Sequence, residues 1–141
     1  MKPGVHIELL PWEAARPHAV PIRFAVFVEE QGVPAAIELD ELDAPSVHAL
    51  AFQDGKVVGT ARLLSDGHIG RMAVLKPWRG RGIGGRMLSA LLEQARRRGD
   101  REVALSAQVH ALGFYRAHGF VEEGPEYLEA GIAHRAMRRK L

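Results

Sequence analysis

The chain has 141 residues, 47% hydrophobic and 26% charged, with a formal net charge of +2. These values are ordinary for a folded globular protein and exclude a collagen-like repeat or a wholly disordered chain. Cysteine is absent, which removes disulfides, thiolate metal sites and a cysteine nucleophile, and fits a reducing cytoplasm. The length suits one domain spanning residues 1–141. Met1 to Trp12 lacks the apolar core and cleavage site of a signal peptide. No stretch reaches the ~20 apolar residues of a membrane span. The expectation is a soluble, cytoplasmic protein with no membrane partner.

Val5, Ile7 and Leu9 alternate with His6 and Glu8, as in a first strand. Pro17, Pro21 and Gly32 then read as three breaks. The spacing of Phe24, Phe27 and Val28 predicts a helix from Pro21 to Gln31, stopped by Gly32. Residues 33–46 read as an irregular loop rich in carboxylates: Glu38, Asp40, Glu41 and Asp43. Val47 to Gln53, Lys56 to Ser65 and His68 to Leu75 form a predicted three-strand meander, joined by the hairpin signals Asp54-Gly55 and Asp66-Gly67.

The period then changes. Ile83, Met87, Leu88, Leu91, Leu92 and Ala95 form a helical stripe that Gly99 ends. Glu102 to Ala107 is a short strand, and His110 to His118 a second helix closed by Gly119. Extended structure resumes at Phe120, with a loop at Gly124-Pro125 and a last strand near Ile132 to Arg138. Strand, helix and strand across residues 68–107 make one crossover, so those two strands should run parallel.

Arg79-Gly80-Arg81-Gly82-Ile83-Gly84-Gly85 follows a strand and opens a helix. Helix starts carry unpaired amides and a positive dipole end, and glycine lets a backbone approach an anion closely. Arg79 and Arg81 add charge suited to a diphosphate. Gly80, Gly82 and Gly85 also match the dinucleotide fingerprint, but that motif belongs in the first strand-turn-helix of a doubly wound sheet. Here a β-meander precedes it, and no acid ends the next strand. A P-loop fails because no Gly-Lys-Ser/Thr follows.

Arg79-x-x-Gly82-x-Gly84 resembles the Q/R-x-x-G-x-G/A motif of the GNAT superfamily of acyl-CoA-dependent N-acyltransferases. The resemblance covers nearly the whole chain. Arg71-Met72-Ala73-Val74 looks like that family's fourth strand, and Phe114-Tyr115-Arg116-Ala117-His118-Gly119-Phe120 is similar to its F-Y-x-x-x-G-F signature. Arg23-x-x-Val26-Phe27-Val28-x-Glu30-Gln31, Glu38-x-Asp40-x-x-Asp43, His48 and His134-x-x-Met137 resemble its ElaA/YjcF-like bacterial branch.

The resemblance implies an α+β (α/β/α) fold. Its mixed, mostly antiparallel six- or seven-stranded sheet has splayed parallel fourth and fifth strands and helices on both faces. It implies acetyl-CoA as co-substrate, with Met72, Ala73 and Val74 along the pantetheine and thioester, and Arg79 to Gly85 at the pyrophosphate. A primary amine of a small molecule or peptide would attack directly in a ternary complex, without a covalent intermediate. Tyr115 takes the place of the general acid and also lines the cofactor site. A non-catalytic acyl-CoA sensor on the same fold is the alternative.

The base stays open. Glu41 and His110 are its candidates, and His48 and His134 are further histidines with a suitable ring. Glu30, Glu38, Asp40 and His134 are candidates for acceptor binding, and an acidic loop leans towards a cationic acceptor. Each of these side chains also has an ordinary reading as a turn, cap, packed or solvated residue. The spacing of histidines and acids completes no metal set. The basic clusters Arg96-Arg97-Arg98 and Arg135, Arg138, Arg139 and Lys140 read as solvated faces. Without a reading motif or interleaved aromatics, no nucleic-acid partner is expected. Homodimerisation through the last strands is compatible with the pattern, though no feature fixes it.

Overall fold

The computed structural model describes residues 4–141; Met1 to Pro3 of the segment read above as lacking a signal peptide lie outside the described residues. Seven strands form one sheet: β1 (Val5–Pro11), β2 (Val47–Gln53), β3 (Lys56–Leu63), β4 (His68–Val74), β5 (Glu102–Gln108), β6 (Val121–Glu129) and β7 (Ile132–Lys140). Their order is β1-β2-β3-β4-β5-β7-β6. All neighbours are antiparallel except β4 and β5, which are parallel as the crossover spacing predicts. That pair has only two partnered positions, His68 with Ala104 and Ile69 with Leu105. Beyond them the two strands diverge, and the sheet opens into a wedge.

Successive side chains of a strand point to opposite faces, so the sheet has two cores. On one face, Ala49, Ala51, Val58 and Leu63 meet the buried stripe of α3 (Ile83–Arg97), formed by Ile83, Met87, Leu88, Leu91, Leu92 and Ala95. On the other, Leu50 packs on Ala15 and Ala19 of α1 (Trp12–Arg23). Helices therefore cover both faces.

The amino-terminal helix corrects the sequence reading. It begins at Trp12 rather than Pro21, runs through both prolines, and continues as a π-helical stretch from Phe24 to Glu30. Pro17 and Pro21 sit on its exposed side, while Ala15, Ala19, Ile22 and Val26 make the buried stripe. Burial of that stripe outweighs the hydrogen bonds the prolines omit. The expected loop at Gly124-Pro125 is also corrected. It is a register irregularity inside β6, and the chain reverses further on, at Ala130 and Gly131, both at positive φ (+52° and +77°). The second helix is divided into a 3-10 turn, Val109–Ala111, and α4 (Leu112–Ala117).

The acidic loop, expected to be irregular, contains one helical turn, α2 (Ala35–Glu38), and is held by ion pairs. Arg23, buried at the end of α1, binds Glu38 at 2.6 Å and Asp43 at 2.7 Å. Arg62 of β3 binds Asp43 at 2.9 Å and Asp40 at 2.7 Å. Arg71 of β4 reaches Asp40 at 3.3 Å and the Glu38 carbonyl at 3.2 Å. Three guanidiniums thus meet three carboxylates, and the group closes with no net charge. Arg71 sits at φ +50°, where β4 shifts register against β3, so the bulge itself aims this side chain at the loop. His48 is buried on Trp12 and donates from Nε2 to the Asp43 carbonyl at 2.8 Å.

Burial pushes the Asp43 carboxyl up, but hydrogen bonds and charge from Arg23 and Arg62 outweigh it and hold the group below its usual range. The hydrogen bond from Arg62 likewise lowers Asp40. Burial lowers His48. All three groups therefore favour their deprotonated form in the fold, and each adds stability above its unfolded pKa that is lost as pH falls through its folded value.

Urea denaturation from pH 7.5 down to 3 should show a first decline below about 6.5, absent in His48→Gln, and a second below about 4. A flat profile down to pH 5 would remove His48 from this account. At pH 7, Asp43→Asn should lower the unfolding free energy by about 3–5 kcal/mol, because two buried guanidiniums lose a partner.

Candidate active site

The wedge opens into a cleft of about 870 Å³, within the range that takes a small ligand or cofactor. Its lining joins residues from distant parts of the chain: Phe27 and Glu30, Met72 to Val74, Arg79, Tyr115 and His134. Leu75 donates its N–H to the Val58 carbonyl of β3 at 2.9 Å. Backbone groups alternate sides along a strand, so those of Met72 and Val74 face the opposite edge, where β5 has turned away. The wedge therefore presents a strip of β4 backbone that a ligand amide could pair with.

Beside the cleft, the Gly80 to Gly85 segment turns into α3; a Cβ on Gly84 would lie 3.5 Å from Phe114 and 3.8 Å from Met72, both of which line the cleft. Gly80 and Gly82 hold φ near +77° and +78°, a conformation that an L side chain adopts only with strain. Gly82 is the N-cap of α3 and supplies no side-chain cap, so the first-turn amides stay available for an anion. Arg81 lies exposed over the Trp78 ring, 4.9 Å from its centroid, and brings charge to the same turn.

Arg79 is placed differently from the expectation that it serves the pyrophosphate. Its guanidinium forms a two-pronged pair with Glu30 at 2.7 and 2.8 Å, and its Nε donates to the Val74 carbonyl at 2.8 Å. The side chain clamps the end of the π-helical stretch to β4. Its hydrogen bond holds the Glu30 carboxyl below its ordinary range. Glu30, expected on the acceptor side, lines the cleft while paired with Arg79.

Tyr115 lies on α4, edge-on to Phe114 and Phe120, with its hydroxyl 3.8 Å from the Met72 sulfur. Burial pushes its phenol up to about 12. It remains an O–H donor aimed at the part of β4 that borders the gap.

The other expected residues separate clearly. Glu41 is exposed and is not part of the cleft lining. Glu38 lines the cleft but is only 2% exposed and bound to Arg23; Asp40 is bound to Arg62 and Arg71. Of the loop expected to attract a cation, Glu38, Asp40 and Asp43 are therefore already matched, and Glu41 lies outside the lining. His48 is buried behind that loop, outside the cleft lining. His110 lines the cleft from the exposed 3-10 turn. His134, on β7, lines it while only 6% exposed. Among the described residues, no three potential metal ligands converge. No helix there is long and apolar enough to cross a membrane.

Several lining residues have no local signature in the sequence. Gln31 and Gln108 are 77 positions apart and bond reciprocally across the cleft at 2.8 and 3.4 Å. Glu129 enters from the tip of the β6–β7 hairpin. The Ala130-Gly131 pair at that tip is the one signal that could have located it, and it is weaker than the Asn-Gly or Asp-Gly pairs that mark such turns.

A sheet prised open between two parallel strands, with an uncapped, glycine-rich helix start beside the opening, is the architecture of acyl-CoA-dependent transferases. Residues 14–141 match the acetyltransferase (GNAT) domain family, and the chain belongs to it. It is 40% identical over 122 residues to the uncharacterized N-acetyltransferase YjcF of Bacillus subtilis (strain 168), covering 84% of this chain and 87% of that one. It is 34% identical over 128 residues to protein ElaA of Escherichia coli (strain K12), covering 85% and 84%. Among solved structures, an acyl-CoA N-acyltransferase from Pseudomonas aeruginosa superposes with a TM-score of 0.86 at 32% identity, over 96% of this chain and 99% of that one. The crystal structure of Escherichia coli ElaA gives 0.87 at 29% identity, over 97% and 100%. The chain falls in the ElaA/YjcF-like branch.

Replacing Gly82 by Ala should raise the dissociation constant for coenzyme A roughly 10-fold, from about 1–2 kcal/mol of left-handed strain. Nothing lies within 4 Å of the added Cβ, so the loss would come from backbone conformation and not from a clash. Calorimetric titration checks this, and unchanged affinity would mean that the turn does not carry the pyrophosphate.

Proposed function

We propose that this protein is a cytoplasmic N-acetyltransferase that moves the acetyl group of acetyl-CoA to a primary amine of a small molecule or peptide, by direct attack within a ternary complex. The observation that carries this reading is the β4 edge at Met72 and the Val74 N–H, left without a partner strand where β5 diverges, near the uncapped start of α3 and the Tyr115 hydroxyl.

In this reading the pyrophosphate rests on the amides of Arg81 to Gly85, with Arg81 adding charge. The pantetheine amides pair with the β4 edge, and the thioester lies beside Met72 to Val74. A neutral amine attacks the carbonyl carbon, the Val74 N–H stabilises the oxyanion, and the coenzyme A thiolate departs. Cysteine is absent, in keeping with transfer that needs no cysteinyl intermediate. Tyr115, at about 12, holds its proton more firmly than a thiol of ~8.5, so it donates a hydrogen bond to the departing sulfur instead of surrendering the proton outright. Three histidines line the cleft: His68 is exposed and paired with Asp66 at the start of β4, which leaves His110 and His134 as the candidate bases. Glu41, outside the lining, takes no part.

Release of free thiol from acetyl-CoA with a panel of primary amines tests the reaction. Tight coenzyme binding with no thiol release for any amine would favour the acyl-CoA sensor. Tyr115→Phe should lower kcat by ~10²-fold with little change in acetyl-CoA affinity. An unaltered kcat would remove Tyr115 from the chemistry.

A further inference from the structure

The acceptor end of the cleft is bordered on one side by the loop bearing Ile37 and Glu38 and on the other by the tip of the β6–β7 hairpin. The first side is electrically matched where it meets the cleft: Glu38, Asp40 and Asp43 are committed to Arg23, Arg62 and Arg71, and the exposed Glu41 of the same loop lies outside the lining. The second is not. Glu129 is 57% exposed at its side chain, and among the described residues its charged neighbour is the His134 ring, 3.6 Å from Nε2 to Oε2.

The geometry of His134 fixes which ring nitrogen can act. Nδ1 lies 2.7 Å from the Ile132 carbonyl. A carbonyl only accepts, so Nδ1 carries the hydrogen, and the lone pair of the neutral ring is on Nε2. That nitrogen is the one facing Glu129. The ring is held by more than one contact: it stacks on Tyr127, with centroids 6.1 Å apart and planes at 22°, and the Tyr127 hydroxyl bonds to Ser106 of β5. His134 also stands opposite Gln108 in the β5–β7 register, beside the 3-10 turn that leads to Tyr115. His110 is exposed and has no comparable support.

We propose that Glu129 and His134 form the acceptor's ammonium site, with Glu129 binding the cation and His134 Nε2 taking its proton. The proposal rests on the N-acyltransferase reading above and names its substrate class: a primary alkylammonium carrying one positive charge near the transferring nitrogen. A polyamine gains nothing further, because the one carboxylate with which the facing loop lines the cleft, Glu38, is bound to Arg23. His134 Nε2 removes one proton from R–NH3⁺, and Glu129 stabilises the imidazolium that forms. The amine lone pair bonds to the thioester carbon and the C–S bond breaks. The nitrogen's second proton passes to the departing thiolate, and the imidazolium returns its own to solvent. The balance is R–NH3⁺ and acetyl-CoA giving the amide, free coenzyme A thiol and one proton.

The experiment has two arms. In the first, nitrogen-15 spectra of histidine-labelled protein saturated with coenzyme A are followed as butylammonium is added, with the His134 signals assigned by their loss in His134→Gln. The expected result is an Nδ1–H tautomer and a saturable shift of those signals that butanol does not cause, with affinity ~10-fold weaker in Glu129→Gln. An Nε2–H tautomer, or a shift indifferent to Glu129→Gln, overturns the proposal. In the second arm, thiol release from acetyl-CoA and butylamine is measured. His134→Gln should lower kcat by ~10²-fold with acetyl-CoA affinity retained, and Glu129→Gln should raise the amine KM ~10-fold while lowering kcat far less. Spermidine should show no KM advantage over butylamine. A kcat within about 2-fold of wild type in His134→Gln overturns the base assignment even where transfer is robust. If butylammonium binds as described and yet no amine is acylated, the ammonium site stands and the N-acyltransferase reading fails. Glu129→Gln alters an exposed side chain, so it keeps the test decisive should His134→Gln fold poorly.

Discussion

Two backbone pairings, His68 with Ala104 and Ile69 with Leu105, join the two halves of the sheet, and the site exists because there are no more. Parallel strands that stayed in register would use up the amide groups of Met72 and Val74. Arg79 satisfies the Val74 carbonyl, but the divergence leaves the other groups facing a gap, which costs free energy unless solvent or a ligand satisfies them. The same divergence gives the cleft its depth. Tyr115 reaches Met72 across it, and the α3 start closes one end with amides of its own.

A wedge in a sheet needs walls that do not collapse into it. The ionic group around Arg23 and Arg62 supplies one. It ties the end of α1, the loop of residues 33–46 and the β4 bulge at Arg71 into one body. Removing these charges from water is costly, and only near-complete pairing offsets it. That completeness has a consequence: of the loop's carboxylates, Glu38, Asp40 and Asp43 are paired, and the one left over, Glu41, lies outside the cleft lining. A second wall comes from the Arg79–Glu30 clamp, which fastens the π-helical stretch to the Val74 carbonyl. Arg79 and Glu30, both expected as ligand contacts, are thereby also parts of the frame.

The opposite wall is the β6–β7 hairpin, and its character differs. It carries an exposed carboxylate and a histidine whose tautomer a neighbouring carbonyl sets. Frame and chemistry are thus divided between the two sides. The matched side gives shape, and the unmatched side gives polarity.

Much of the fold was legible in the chain. The Asp54-Gly55 and Asp66-Gly67 turns placed the meander, because few residue pairs tolerate the φ such turns need. The α3 stripe and the glycine turn before it marked the crossover, and with it the parallel pair, because local periodicity and helix-start chemistry are written in consecutive residues. The amino-terminal helix was misread because proline acts locally, whereas the burial of Ala15, Ala19 and Ile22 that overrides it depends on Leu50 and other residues far along the chain. The same limit governed the site. The residue types of Glu30, Glu38, Asp40 and Arg79 are plain in the sequence, but whether a charge faces a ligand or another side chain is decided only by which segments the sheet brings together. The glycines that would hold a pyrophosphate could be read one residue at a time. The pairing of carboxylates with arginines, and the turning of His134 towards Glu129, belong to the tertiary structure alone, because electrostatic contact depends on distance in space and not along the chain.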